Sequence, residues 1–411
     1  MSFFGVPLSG LIASQSELQT VSNNLANLDT VGYKDQDSSF SDLFAQSSLT
    51  NAANDPIQTG LGVASSQTTT DFSDGSPTAT NISTNMALSG NGLFVLKSSS
   101  GTIDYTRAGN FTTNADGQLT SADGQLVLGY PAVGGVINTS GALQPLQVGL
   151  GSVIPASATT SFQFPANLSA TAAVGATFAS PSNVYDSLGT AHVLTVNYTK
   201  TGTNQWSYSI DVPTADTGAA SSQVATGNLT FDSSGNLTAP AVAPTFTIPS
   251  FVDGAASMSL TWNLQNANGT SSVTQTSLAS ANGSAVQNGQ ASGTLTSIAV
   301  ASDGTVNGTY SNGQTDTLGQ VALANFTNTQ GLLRTGNNDY QATIGSGQAA
   351  IGVAGTGGLG HIQGGYVESS NVDVAAEFAK MIVAQQAYSA NAKTVTTFDQ
   401  VSQATIAMVQ A

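Results

Sequence analysis

The feature that most constrains this chain is a change of period at both of its ends. Leu11, Leu18, Val21, Leu25 and Leu28 recur at spacings of seven, three, four and three, the seam of an amphipathic helix or coiled coil. Ser22, Asn23, Asn24 and Asn27 lie off that seam, and Gly32 is the expected helix stop. The far end repeats the pattern. Val374, Phe378, Met381, Gln385, Tyr388, Ala392 and Val395 recur at four and three, and Val401, Thr405 and Met408 continue with a slip. Neither Gly nor Pro interrupts Val374 to Ala411. Ser369, Ser370 and Asn371 offer capping side chains, and Asp373 and Glu377 sit at the positive end of the predicted helix dipole.

Between these ends the period drops to two. Leu93 to Leu96, Val193 to Tyr198, Trp206 to Val212 and Leu260 to Leu264 read as strands. Asp116-Gly117, Asp123-Gly124, Asn268-Gly269, Asp303-Gly304, Asn307-Gly308 and Asn312-Gly313 read as hairpin turns, because each dipeptide tolerates positive φ. Phe40 to Thr70 reads as an extended connector. Small-residue stretches at Ala156 to Thr160 and Ala279 to Gly293 mark the ends of an insertion. The expected fold is mainly β with terminal α-helices. Two β domains stand in series on a coiled-coil-like base formed by the N- and C-termini.

An amphipathic helix cannot bury its stripe alone. The two end helices can pair within the chain, because both termini of a β body can emerge together. The stripe pattern then leaves two readings open. One is a two-helix cap packed on the body. The other is an apolar surface shared with identical neighbours, where a repeated heterologous contact builds an open helical filament.

Composition excludes several partners. Lys and Arg together number seven against a formal net charge of −16, too few basic groups to neutralise nucleic-acid phosphates or bind an anionic membrane surface. No apolar run reaches the roughly 20 residues of a membrane span, so no direct membrane insertion is expected. The first ten residues lack the basic start and apolar stretch of a signal peptide. With no cysteine there is neither a disulfide nor a thiolate site.

Chemistry-bearing motifs are sparse. Gly355-Thr356-Gly357-Gly358-Leu359-Gly360 matches a dinucleotide fingerprint in letters, but no helix is expected before about Val372, so it reads as a turn. Asn114, Asp116 and Asp123 are better hairpin residues than calcium ligands, since Thr112 would fill the first ligand position. His192 and His361 are the two histidines, and neither sits in a metal or nucleophile motif. No catalytic, cofactor or metal site is expected, and the chain reads as a non-enzyme. Tyr33 and Lys34 read either as a joint reaching a neighbour or as helix-end residues packed on their own domain.

The segment Ser22-Asn23-Asn24-Leu25-Ala26-Asn27-Leu28-Asp29-Thr30-Val31-Gly32-Tyr33-Lys34 resembles the N-terminal signature of flagellar rod and hook proteins. Ser369-Ser370-Asn371-Val372-Asp373, followed by Met381-Ile382-Val383-Ala384-Gln385-Gln386-Ala387-Tyr388-Ser389-Ala390-Asn391, is similar to their C-terminal signature. Gly90 to Val95, Tyr105 to Phe111 and Asp123 to Tyr130 resemble their β domain. Val184 to Val196 and Leu318 to Phe326 are similar to the hook branch of the family rather than to distal-rod proteins. Residues 213–284 match weakly. Gln386 stands where the family commonly has Arg, and without cysteine the chain cannot form the cysteine-derived cross-link of some relatives.

The resemblance implies a self-assembling subunit of a curved, hollow tube outside the cell. Its partners would be further copies of itself, the flagellar rod, hook cap and hook–filament junction proteins, and the flagellar type III export apparatus, which reads no cleaved signal peptide. It implies a division into residues 1–30 and 370–411 as a terminal helical assembly domain, 31–75 as connector, 76–150 with 286–365 as one β domain, and 151–285 as an inserted outer β domain. The expected assembly interface is Leu11, Leu18, Val21, Leu25, Leu28, Val374, Phe378, Met381, Tyr388 and Val395. A distal-rod protein, or a secreted β-rich adhesin, is the rival reading.

Overall fold

Two helices close the chain, as the period of its ends requires. The computed structural model describes residues 5–43, 46–50, 56–266 and 268–410; it places the helices at Gly5–Ala26 and Val374–Gln410. Residues 1–4 and 411 of the expected helical domain, and 44, 45 and 51–55 of the expected connector, lie outside the described residues.

Both helix boundaries differ in detail from the sequence expectation. The N-terminal helix ends at Ala26, where Asn27 N donates to the carbonyls of both Asn23 and Asn24 and Leu28 N to Leu25. That tightening of the last turn is a common way to satisfy terminal carbonyls. Leu28 therefore lies in a turn beyond the helix, and Gly32 follows a further turn at φ +68°. A Cβ there would lie 2.6 Å from the backbone nitrogen of Ala108, so both the conformation and the space demand glycine. At the other end the cap is Asp373, whose Oδ1 accepts from Ala375 N at 2.8 Å and Ala376 N at 3.2 Å. Ser369, Ser370 and Asn371 lie too far upstream of Val374 to serve.

The remainder is β structure in two compact units. The first comprises Met1–Gly149, Ser297–Gly308 and Asp316–Ala411. Its main sheet runs in the order Thr315–Asn325, Leu126–Val133, Leu93–Lys97, Ile103–Thr106, Asp339–Gln341, Leu333–Gly336. Leu93, Phe94, Val95 and Leu96 are all buried, so this strand is covered on both faces rather than alternating. Leu93, Val95, Tyr105, Tyr130, Phe326 and Tyr340 belong to one core, where the Tyr105 and Phe326 rings meet edge to face at 4.9 Å. Downstream of the N-terminal helix, Gln36–Asp42 pairs antiparallel with Val63–Thr70, and Gln46–Thr50 with Pro56–Thr59.

The second unit comprises Leu150–Thr296 and Thr309–Thr315. A five-stranded antiparallel meander (Thr177–Tyr185, Ala191–Gly202, Gln205–Asp211, Gln223–Phe231, Leu237–Ala239) carries His192, Leu194, Val196, Tyr198 and Lys200 inward at every second position. Its core centres on Trp262, which packs with Phe162, Tyr198 and Tyr208. Five of the six predicted Asx-Gly turns hold glycine at positive φ: Gly117, Gly124, Gly269, Gly304 and Gly313. The sixth, Asn307-Gly308, lies inside the strand Thr305–Tyr310. The Gly355–Gly360 run is a turn between the strands Ala350–Val353 and His361–Gly364. Asn114 closes the neighbouring hairpin as an Asx turn, accepting from Asp116 N and Gln118 N.

Candidate assembly surface

The two helices pair antiparallel. Near one end Asn24 Nδ2 donates to Glu377 Oε2 at 3.0 Å. Near the other, a Cβ on Gly10 would lie 2.8 Å from Asn391 Nδ2, so glycine permits the closest approach. At these two places the seam is polar and small, and along the helices between them Ala13, Val21 and Ala384 are buried. Of the predicted stripe on the N-terminal helix, Val21 is fully buried within its own unit, whereas Leu11, Leu18 and Leu25 are half-buried. Leu28, in the turn, is also half-buried.

The C-terminal helix keeps its apolar residues largely outside that seam. Met381 and Val395 are half-buried. Val374 is 37% exposed, Phe378 52% and Tyr388 39%. Ile382, Val383, Val401 and Met408, outside the predicted interface, are more exposed than Val374 or Tyr388. At 1.5 Å per residue the C-terminal helix is roughly 55 Å long and the N-terminal one about 33 Å. Contacts of residue 10 with 391 and 24 with 377 set Gly5 opposite about residue 396, so the last turns outrun their partner helix. Every residue from 396 to 408 is exposed.

A hydrogen-bonded joint anchors this pair to the β structure of the first unit, and sequence reasoning saw only part of it. Asn24 is fully buried. Its Nδ2 also donates to Gln36 O, and its Oδ1 accepts from Tyr33 Oη at 3.1 Å and Gln36 N at 3.2 Å. Tyr33 is thus packed on its own unit, with the Arg334 guanidinium 5.7 Å from its ring centre. Asn371, expected as a cap, instead accepts from Asp35 N at 2.7 Å and donates to Asp71 O, Ser73 O and Ser73 Oγ.

Beneath the joint lies a buried charge cluster. Lys34 Nζ reaches Glu368 Oε1 at 2.6 Å, and Arg107 Nη1 reaches Glu368 Oε2 at 3.4 Å, with all three side chains at most 2% exposed. Arg107 Nη2 adds Asp74 Oδ1 at 3.2 Å and Gly90 O at 2.7 Å. Burial pulls the Lys34 pKa below the ordinary lysine value although Glu368 opposes it. At the helix start, burial and then the Glu377 charge raise the Asp35 carboxyl to about 6. Burial opposes the charge on Lys380, but the hydrogen bonds it donates to Asp37 (2.6 Å) and Glu377 (2.7 Å) outweigh it and raise its pKa. Nothing in this arrangement resembles a catalytic centre; it holds a helix pair rigidly on a β scaffold and leaves apolar surface outward.

Known proteins share this architecture. Four family models match in chain order: "Flagella basal body rod protein" at residues 6–34, "Flagellar hook protein FlgE/F/G D1 domain" at 87–167, "Flagellar basal body protein FlaE D2 domain" at 155–290 and "Flagellar basal body rod FlgEFG protein C-terminal" at 363–408. The flagellar hook protein FlgE of Escherichia coli K12 is 35% identical, over 97% of this chain and 98% of that protein. That of Borreliella burgdorferi is 31% identical, over 96% and 97%. A crystal structure of the Helicobacter pylori flagellar hook protein FlgE2 superposes with a TM-score of 0.56 at 15% identity, covering 71% of this chain and 100% of that one, a likeness of fold. Related at this level over nearly its whole length, the chain belongs to the flagellar hook protein family and is a subunit of the bacterial flagellar hook.

Proposed function

We propose that this subunit polymerises through its terminal helices into a curved, flexible tube that works as a universal joint, passing torque from rod to filament. The observation that carries this is the apolar surface that Phe378, Ile382, Val383, Val401, Ile406 and Met408 leave exposed on the C-terminal helix. Contact between copies would bury it at about 25 cal/mol per Å² of apolar surface. In this reading residues 1–30 and 370–411 form the inner layer, 31–75 connect, 76–150 with 286–365 form one β layer, and 151–285 the outer one. Leu11, Leu18, Leu25, Val374, Phe378, Met381, Tyr388 and Val395 contribute to the subunit contacts. Few charges and many small polar residues suit the outer layer to weak, water-mediated contacts that exchange as the tube bends. The rod, hook cap, hook–filament junction proteins and flagellar export apparatus are its further partners. The subunit performs no chemistry of its own.

Phe378→Asp with Val401→Asp tests this. Both side chains are exposed in the subunit, so the β structure should melt as in the parent while electron microscopy shows no tubes after induced polymerisation. Normal tubes from this variant would refute the interface.

A further inference from the structure

Asp186, His192 and Asp253 converge in the second unit, although no sequence motif links them. Their ligand atoms all lie within 4.8 Å of one another. Asp186 ends one strand of the meander and folds back on its own turn, its Oδ1 accepting from Leu188 N at 2.8 Å and Thr190 N at 2.9 Å. That leaves Oδ2 facing His192 Nε2 at 3.0 Å. Across the ring, His192 Nδ1 meets Asp216 Oδ2 at 3.1 Å. The Phe251 ring stacks on the imidazole at 4.4 Å and so brings the loop with Asp253 alongside.

The arrangement is short of positive charge. A neutral imidazole carries one N–H, so one of the two ring contacts would set a nitrogen lone pair against a carboxylate oxygen. His192 and Asp186 are 4% and 0% exposed, where such a contact is costly. Asp253 also sets a carboxylate oxygen within 4.8 Å of the Asp186 carboxylate, an approach of two like charges that a shared proton or a cation relieves. Among the described residues no Lys or Arg pairs with any of these three carboxylates. Protonating His192 would satisfy both ring nitrogens and leave the Asp186–Asp253 contact unresolved.

We propose that Asp186, His192 and Asp253 bind a divalent transition ion of the zinc type. Asp216 then takes the Nδ1–H, the carboxylate–histidine–metal arrangement that fixes the tautomer and presents Nε2 as ligand. Zinc bonds of about 2.0–2.2 Å set tetrahedral neighbours about 3.4 Å apart. Asp253, the exposed member, is free to close that distance, and its opening to solvent supplies water as the fourth ligand. One imidazole with two carboxylates suits zinc better than calcium or magnesium, which demand six or more oxygens. The ion would tie the 186–190 turn to the loop around residue 253 in a chain without disulfides. That turn packs on Ala156, Ala291 and Ser292, against Gly189, so the ion would stiffen the base of this unit.

The test is calorimetric titration and thermal melting of the full chain after chelator treatment. Zn2+ should bind one per chain at micromolar concentration and raise the Tm, whereas Mg2+ and Ca2+ should not. Asp253→Asn keeps an acceptor for Ala255 N and removes one of two neighbouring negative charges, so it should not lower the melting of the metal-free chain, while it weakens Zn2+ by about tenfold or more. His361→Gln, at the chain's other histidine, should change nothing. Absence of Zn2+ binding, or binding indifferent to Asp253→Asn, overturns the proposal and leaves a protonated histidine held by two carboxylates.

Discussion

Glu368 illustrates what single residues do here. It is the one carboxylate that both Lys34 and Arg107 reach, and it also accepts from Gly75 N at 2.9 Å. Its removal leaves buried Lys34 without its carboxylate and Arg107 with Asp74 alone, which costs far more than losing a surface pair. Glu368→Gln should lower the unfolding free energy by about 3–5 kcal/mol, read from denaturant melts. Asp74→Asn, at a side chain 40% exposed, should cost about 1 kcal/mol or less. The sequence flagged Tyr33 and Lys34 as a joint but left their direction open. The Lys34 partner, Glu368, sits more than three hundred residues away, and no local period records a pairing of that range. Asn371 was misread for a related reason: Asn is a good cap, and only the fold shows its side chain committed to Asp35, Asp71 and Ser73.

At the scale of elements, period was a sound guide and orientation was not. The uninterrupted run from Val374 became a single helix, and the alternating runs at 193–198 and 206–212 became adjacent strands. Which face of each helix meets its partner was illegible, because close contacts at both ends of the seam are made by Gly10, Asn24, Glu377 and Asn391, which belong to no apolar period. Asn307-Gly308 failed as a turn because flanking residues that pair along a strand override a weak local preference. The same geometry fixes where the free subunit is weakest. The N-terminal helix is pinned through Asn24, whereas residues after about 396 have no partner helix among the described residues, and an unsupported helical segment is marginal in water. Lys393 is exposed and is the basic residue nearest that segment, so fraying from the end should let trypsin cut free subunit there first, leave buried Arg107 and Lys200 intact, and spare Lys393 in the polymer. Equal protection of Lys393 in both states would show that assembly does not order this end.

The whole molecule carries a formal charge of −16, and its proton balance sets how stability follows pH. Burial raises Asp339 to about 6, and burial followed by the Glu377 charge raises Asp35 to about 6. Between pH 4 and 6 the folded chain thus holds protons at both sites that the unfolded chain has released, so stability rises as pH falls through that window. His192 acts in the same sense. Burial pulls its pKa down, but hydrogen bonds to the Asp186 and Asp216 carboxylates outweigh this and raise it. Its contribution is complete below the ordinary histidine value and is lost as pH rises through the folded one. Relief of self-repulsion adds to both effects as carboxylates take up protons. Asp186 opposes them: burial would raise it, yet hydrogen bonds led by His192 hold it below the usual range, so its contribution is lost only once pH drops below that of ordinary carboxylates. Melting of the full chain in chelator should accordingly show Tm rising from pH 7.5 to about pH 5 and falling again below about pH 4. Asp339→Asn should flatten the part of the rise between pH 4 and 6 while leaving the part near neutrality, which belongs to His192; a Tm that falls steadily from pH 7.5 downward would contradict the balance derived from these four groups.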